Sequence, residues 1–458
     1  MNHPLRVHVA TLGCDKNLVD SEALLDAFRR AGLQPVADAD SADIWILNTC
    51  SFIDAARRDS YDAIETLLEA KGDRRLVVTG CLAQETGRKL REAYPEIDLI
   101  GGVGNFEELA ADLGAGGRGT PSTTPDDARY AIGGDRPLLT PAHTAFVKLG
   151  EGCNLRCAFC RIPRIRGRLR SRSIAEIRDE ARRLAERGVR ELNLISQNTS
   201  DYGVDTGETL PDLARALAEI DELRWLRFYY FFPGRSTGAT LQALLEVPKV
   251  VPYVDLPMQH AAPRILRAMH RPADSRRAAA MFSELRRRNP DLTLRTTMLL
   301  GFPGETEEDV EVLADFLAEV EFDHLGTYRY SPEEGTPAAA LGPGPDPEEV
   351  ADREARILDL QAEISLSRLW RRLGRDCGIV VDRLDPGDRW RDVLAEMSPE
   401  VPEVLYRSPE LAVARSAALG YDQDGVILLP AAKLKPGDWL TARLEATSAF
   451  DAAGIPVD

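Results

Sequence analysis

Glu151-Gly152-Cys153-Asn154-Leu155-Arg156-Cys157-Ala158-Phe159-Cys160 sets three cysteines at C-x3-C-x2-C spacing, directly after the apolar run 145–149. Three thiolates in so short a loop can hold three irons of a 4Fe-4S cube and leave the fourth iron without a protein ligand. An open iron is a place where a small molecule can be chelated and activated. A structural zinc site would close with four ligands, and no fourth Cys or His lies nearby in the sequence. Disulfides are disfavoured in a cytosolic chain. The loop therefore reads as a cluster site with one coordination position free.

The 458 residues are enough for about three domains at ordinary domain sizes. The start, MNHPLRVHVATLG, lacks the apolar region of a signal peptide, and no apolar run approaches membrane-spanning length. The expectation is a cytoplasmic protein with no membrane partner, in which cysteines serve metal or catalysis. A formal net charge of −17 argues against a general nucleic-acid coat and favours basic partners.

Upstream, residues 1–113 alternate apolar runs with amphipathic stretches: strands at 5–10, 44–47 and 76–79, helices at 18–31, 55–70 and 85–93. That rhythm predicts an α/β domain with a doubly wound parallel sheet. Cys14, Cys50 and Cys81 each follow one of these strands. Ligand sites in open α/β sheets gather at the carboxyl ends of strands, so the three should converge on one edge as a second cluster site. Residues 114–136 are rich in Gly, Pro, Thr and Asp and read as a mobile linker.

Downstream, residues 137–341 resume the βα alternation, with strands at 145–149, 191–195, 226–230, 253–256, 293–300 and 325–330. Six units are too few for a closed eight-stranded barrel, so an open (β/α)6 partial TIM barrel is expected. Its functional loops should lie at the strand carboxyl ends: 196–199, 257–260 and 301–306. On residue type alone, His260 reads as a structural histidine. Arginines at 161, 164, 166, 168, 170 and 172 form a basic run after the cluster loop. They are either a solvated face or anchors for carboxylates of a cofactor or substrate. A break at 342–347 and a long helix (342–374 together) lead to a tail, 375–458. Its apolar runs at 378–381, 404–405, 426–429 and 439–444 suggest a small β-barrel. That tail carries nine basic and fifteen acidic residues. Cys377 reads as a small buried hydrophobe.

These three regions together resemble the methylthiotransferase family of radical S-adenosylmethionine (SAM) enzymes over nearly the full length. The resemblance rests on Thr11-Leu12-Gly13-Cys14-Asp15-Lys16-Asn17-Leu18-Val19-Asp20-Ser21-Glu22, Asn48-Thr49-Cys50-Ser51-Phe52-Ile53, Gly80-Cys81-Leu82-Ala83-Gln84 and Tyr330-Ser331-Pro332-Glu333-Glu334-Gly335-Thr336. It implies two 4Fe-4S clusters, held by Cys14, Cys50 and Cys81 and by Cys153, Cys157 and Cys160, and a C-terminal TRAM barrel. It also implies two uses of SAM: one molecule methylates sulfur and another supplies a hydrogen-abstracting radical. No side chain need act as a catalytic acid or base, because the chemistry is bound to the clusters. Phe159, Gln197, Asn198, Gln259, Gly301 and Phe302 are the candidate SAM contacts. An electron donor of flavodoxin or ferredoxin type and action as a monomer are further implied.

The wording of these motifs resembles most the subfamily that methylthiolates the β-carbon of an aspartate in small-subunit ribosomal protein twelve. The alternative is the subfamily that acts on isopentenylated adenosine in tRNA. An acidic tail favours the former, because RNA binding demands phosphate neutralisation. The chain departs from the subfamily pattern at Asp15, where proline is usual, in segment 417–424, and in an apparent insertion at 385–402.

Overall fold

The computed structural model describes residues 4–114, 125–127, 132–271 and 274–457. In the N-terminal region β1 (Arg6–Thr11), β2 (Gln34–Pro35), β3 (Ile44–Thr49), β4 (Arg75–Gly80) and β5 (Leu99–Ile100) form one parallel sheet, ordered β2-β1-β3-β4-β5. Helices α1 (Asp15–Arg30), α2 (Asp54–Ala70), α3 (Cys81–Ala93) and α4 (Phe106–Gly114) cover both faces. Strand alternation assigns the sides. Ile44, Ile46 and Val77 pack with Leu24 and Phe28 of α1 and Leu109 of α4. Trp45, Leu47, Leu76 and Val78 pack with Ile64 of α2 and Leu82 and Leu90 of α3. The sheet is doubly wound, as the sequence rhythm predicts.

The 114–136 stretch lies largely outside the described residues, and so does its expected mobility. Its described parts are packed: Asp126 accepts a hydrogen bond from the Arg168 amide at 2.7 Å, and Arg136 is fully buried.

The central region begins with β6 (Thr144–Lys148), and the hairpin of β7 (Gly150–Glu151) with β8 (Arg170–Ser171) flanks the cysteine loop. Five further strands follow: β9 (Glu191–Ile195), β10 (Trp225–Phe228), β11 (Tyr253–Asp255), β12 (Thr293–Leu300) and β13 (His324–Arg329). They form two three-stranded parallel sheets, β6-β9-β10 and β11-β12-β13. A bridge from Leu226 to Val250 and a hydrogen bond from the Phe231 amide to Asp255 O at 3.0 Å join them. The result is an open arc of six parallel strands, a partial barrel. Helix Pro347–Trp370 lies beside β13, with Val350 and Ile357 in the barrel's outer core and Gln361 donating to Phe322 O at 2.7 Å.

In the tail, β14 (Asp376–Pro386), β15 (Glu410–Ser416), β16 (Ile427–Pro430), β17 (Trp439–Thr447) and β18 (Ala452–Val457) close a barrel in the order β14-β15-β16-β18-β17. The short apolar run at 404–405 is not a strand but part of a helical turn, Glu403–Arg407, that begins after Pro402. Two apolar residues carry no periodicity, and Pro402 pre-sets the turn. Two strands, β15 and β18, escaped notice because their alanines lack β-propensity. The apparent insertion packs Leu394, Met397 and Val401, joined by Leu405 of the following turn, on Leu411, Val413 and Leu428. Those strand residues alternate with Ala412, Ala414, Ile427 and Leu429, so the insertion covers one face of the barrel sheet.

Segment 417–424 joins this barrel to the partial barrel. It meets the ends where β9, β11 and β13 begin, opposite the cysteine loops. Asp424, its side chain 1% exposed, contacts Arg295 at 3.2 Å and accepts from the Tyr253 hydroxyl at 2.7 Å. Arg415 bonds Glu191 at 2.7 Å and Asp382 at 2.6 Å, and Arg227 donates to Ala417 O at 2.9 Å. Removing one partner from such a buried group leaves an uncompensated charge, so Arg415→Met is expected to cost about 3–5 kcal/mol, read as a lower unfolding temperature of the cluster-loaded protein. Burial works to raise the carboxyls of Glu191, Asp382 and Asp424, but the facing cations overcome it and hold all three below their ordinary values. A depressed folded-state pKa stabilises above the unfolded value and is lost as pH falls through the folded one. Stability from this interface should therefore hold from neutrality to about pH 4.5 and decline below it; a transition that shows no acid-side decline would contradict the pairing.

Candidate active site

Each N-terminal cysteine sits where a strand ends and a helix begins. Cys14 caps α1, Cys50 follows β3 ahead of α2, and Cys81 is the first residue of α3. The three come together: Gly13 has φ +94°, and a Cβ there would stand 2.9 Å from Cys50 Sγ, so only glycine fits. Cys81 feels the charge of both Cys14 and Cys50. Asn17 ties the loops, donating to Leu12 O at 2.8 Å and Thr49 O at 3.0 Å with its carbonyl 3.6 Å from Cys81 Sγ. Burial pushes the Cys81 thiol up to about 12 and raises that of Cys50 as well. A metal that binds here must therefore displace protons.

The second triad lies in the loop after β7. Gly152 (φ +76°) starts it, where a Cβ would strike Arg168 O. Cys153 and Cys160 each feel Cys157, and burial pushes their thiols up to about 11 and about 12. The loop already offers donors to thiolates: the Leu155 amide lies 3.4 Å from Cys153 Sγ and the Ile162 amide 3.4 Å from Cys160 Sγ. Arg271 Nη1 lies 3.6 Å from Cys157 Sγ while Nη2 donates to Pro257 O at 2.7 Å, so this guanidinium spans two loops. Among the described residues no three His, Cys, Asp or Glu side chains gather around one metal ion. A cubane differs in giving each thiolate its own iron.

Buried charge joins the two triads. Lys148, at the end of β6, bonds Asp20 of α1 at 2.5 Å and also Glu151. Arg166 donates to Asp20 at 2.7 Å and Asn17 at 2.5 Å, contacts Glu151 at 3.3 Å and lies 3.5 Å from Cys81 Sγ. Burial would raise the Glu151 carboxyl, yet Lys148 and Arg166 hold it below its ordinary value. Farther along, Arg136 meets Glu22 at 3.2 Å and Glu180 at 3.1 Å, while Glu333 takes Arg57 at 2.5 Å and Arg161 at 3.1 Å. The basic run is therefore divided: Arg164 and Arg168 are exposed, while Arg161, Arg166, Arg170 and Arg172 are held within the chain. Arg161 and Arg166 are used in the seam, Arg172 pairs with Glu180 at 2.6 Å, Arg170 donates to Pro125 O, and Arg164 to Glu334 O. None of these partners was legible in the sequence.

The candidate cofactor contacts divide. Gln197 donates to Glu151 at 3.1 Å but its carbonyl is buried without a partner. Asn198 caps Ser200 while its amide nitrogen is likewise unpartnered. Gln259 is half-buried with φ +71°, a strained backbone for a side chain of this size. Phe159 is partly buried against Ala262, Met269 and Leu299. Gly301 and Phe302 lie in a packed turn. Gly301 closes a turn, its amide bonded to Glu305 at 3.0 Å and its Cα under Val350. Phe302 is 0% exposed, its ring 5.4 Å from that of Tyr330. His260 is buried, with Nδ1 accepting from the Ala261 and Ala262 amides at 2.9 and 3.0 Å.

A partial barrel with this cysteine loop defines a radical SAM protein, and a family model of the Radical SAM superfamily matches residues 147–317. A second, described as the uncharacterised protein family UPF0004, matches residues 6–102. The fold is shared with the radical S-adenosylmethionine methyltransferase TsrM from Kitasatospora setae, at TM-score 0.53 and 16% identity over 70% of this chain and 72% of that one. Ribosomal protein uS12 methylthiotransferase RimO of Symbiobacterium thermophilum is 40% identical across 98% of this chain and 91% of its own length. RimO of Alkalilimnicola ehrlichii is 41% identical across 98% and 97%. The chain belongs to the RimO family of radical SAM methylthiotransferases. With that family come SAM and a 4Fe-4S cluster.

Proposed function

We propose that this chain adds a methylthio group to the β-carbon of an aspartate in ribosomal protein uS12. The observation that supports the reading is the seam: buried ion pairs join the elements that carry two cysteine triads far apart in sequence. In this reading Cys153, Cys157 and Cys160 ligate the cluster that receives SAM, and Cys14, Cys50 and Cys81 ligate a second. When bound, the two clusters and SAM supply hydrogen abstraction and sulfur delivery. The protein's part is to orient and to exclude water. Phe159, Gln197, Asn198 and Gln259 would contact SAM; the unpartnered amide atoms of Gln197 and Asn198 suit its polar groups. Any contact from Gly301 or Phe302 would come from backbone.

The substrate assignment draws support from charge. The tail after 374 carries nine basic against fifteen acidic residues, and six of the nine face a carboxylate of the chain: Arg375, Arg383, Arg389, Arg407, Arg415 and Arg443. That leaves little cation for RNA phosphates and favours a basic protein surface. The proposal includes the division into a cluster region (1–113), a radical SAM barrel (137–341) and a TRAM-like barrel (375–458). It also includes cytoplasmic action beside ribosomes, a monomer carrying both triads, and a one-electron donor of flavodoxin or ferredoxin type. Among the described residues no helix is long and apolar enough to cross a membrane. Mass spectrometry of ribosomal proteins and tRNA from a strain lacking the gene tests the reading. Loss of one methylthio mass from uS12, restored by the gene, is expected; a loss from tRNA instead would refute it.

A further inference from the structure

The substrate aspartate carries its carboxylate one bond from the carbon that reacts. Wherever that carbon sits between the triads, a negative charge sits with it, and a buried carboxylate needs a cation. The cations of the seam are committed, and Arg271 is taken up by Cys157 and Pro257 O. Arg57 and Arg161 close on Glu333, Arg166 and Lys148 on Asp20 and Glu151, Arg136 and Arg172 on Glu180. Each of these cations spans elements through at least one carboxylate.

Lys16 differs. It lies two residues after Cys14, its side chain 10% exposed, and its ammonium meets one carboxylate oxygen, Asp15 Oδ1, at 3.0 Å. The same ammonium lies over the Tyr230 ring, 2.9 Å from the centroid. An ammonium has three donors, so one carboxylate oxygen and a ring face leave capacity for another anion. The other Asp15 oxygen is held from the barrel side, by the Tyr230 hydroxyl at 3.0 Å. Tyr230 follows β10 at the strand end that faces the cysteine loops, and its φ of +64° is a costly backbone for an aromatic residue. Asp15 and Tyr230 thus fix the ammonium between the first triad and the barrel, and Asp15 already presents it with the group the substrate would bring.

We propose that Lys16 is the specificity-determining residue that receives the carboxylate of the substrate aspartate, with Asp15 and Tyr230 as its positioning residues. This rests on the substrate class proposed above. The test uses the anaerobically purified, cluster-loaded protein and two labelled uS12 peptides, one with the target aspartate and one with asparagine there. Wild type should prefer the aspartate peptide by about tenfold, the scale of one charge-assisted bond. Lys16→Met should bind the two equally, and Lys16→Arg should restore most of the preference. Iron content per chain checks that each variant is loaded. If Lys16→Met is not, Tyr230→Phe serves, and the preference should fall to about a third.

A loaded Lys16→Met or Tyr230→Phe variant that keeps the full preference overturns the proposal while the substrate class stands. Wild type that ignores both peptides but binds tRNA overturns the substrate class and the role of Lys16 with it.

Discussion

A chain in which Cys153, Cys157 and Cys160 are all alanine should bind about four irons in place of about eight after anaerobic reconstitution, and should no longer cleave SAM. The size of the effect follows from where the ligands stand. Each thiolate would hold one iron, and the groups the structure places beside them are no substitute: the Leu155 and Ile162 amides of the loop, and Arg271 from outside it, are donors, not ligands. Single replacements are less decisive, because a water or added thiol can fill one vacant position. The fold should survive, since the strands and helices around the loop make their own core. Iron analysis and deoxyadenosine release report the two parts independently. Eight irons in the triple variant would remove this loop as a cluster site.

Cys14→Ala should have the converse effect. Methylthio transfer should fall to background while SAM cleavage stays near that of the parent, because the two triads are built from different elements. Cys14 is the exposed member of its triad, whereas Cys50 and Cys81 are buried. Its loss should therefore disturb packing least among the three. Methylthiolation at normal yield by this variant would mean that the N-terminal triad does not deliver the sulfur.

What the sequence revealed and what it hid divide along contact range. The positions of Cys14, Cys50 and Cys81 were legible because a strand-to-helix turn is a local signal, and parallel sheets bring successive turns to one edge. The C-x3-C-x2-C loop is local as well. The ion pairs that join the elements carrying the two triads were not legible. Asp20 is 128 residues from Lys148 and 146 from Arg166; at the opposite end of the partial barrel, Glu191 is 224 from Arg415. A faint sign existed in α1, where Asn17, Asp20 and Ser21 recur at helical spacing yet are buried. A solvated polar stripe has the same pattern, so only the packed structure tells them apart. The arginine run misled for a related reason. The run reads as one solvated face or one set of anchors, but the helical turn Ile162–Ile165 and β8 send Arg161, Arg166 and Arg172 to three different partners.

The central claim is most directly tested by offering the reduced, SAM-supplied enzyme both candidate substrates in one anaerobic vessel. The expected result is a gain of one methylthio group on the uS12 aspartate, with the tRNA adenosine unchanged. Modification of the adenosine with the aspartate untouched would contradict the account.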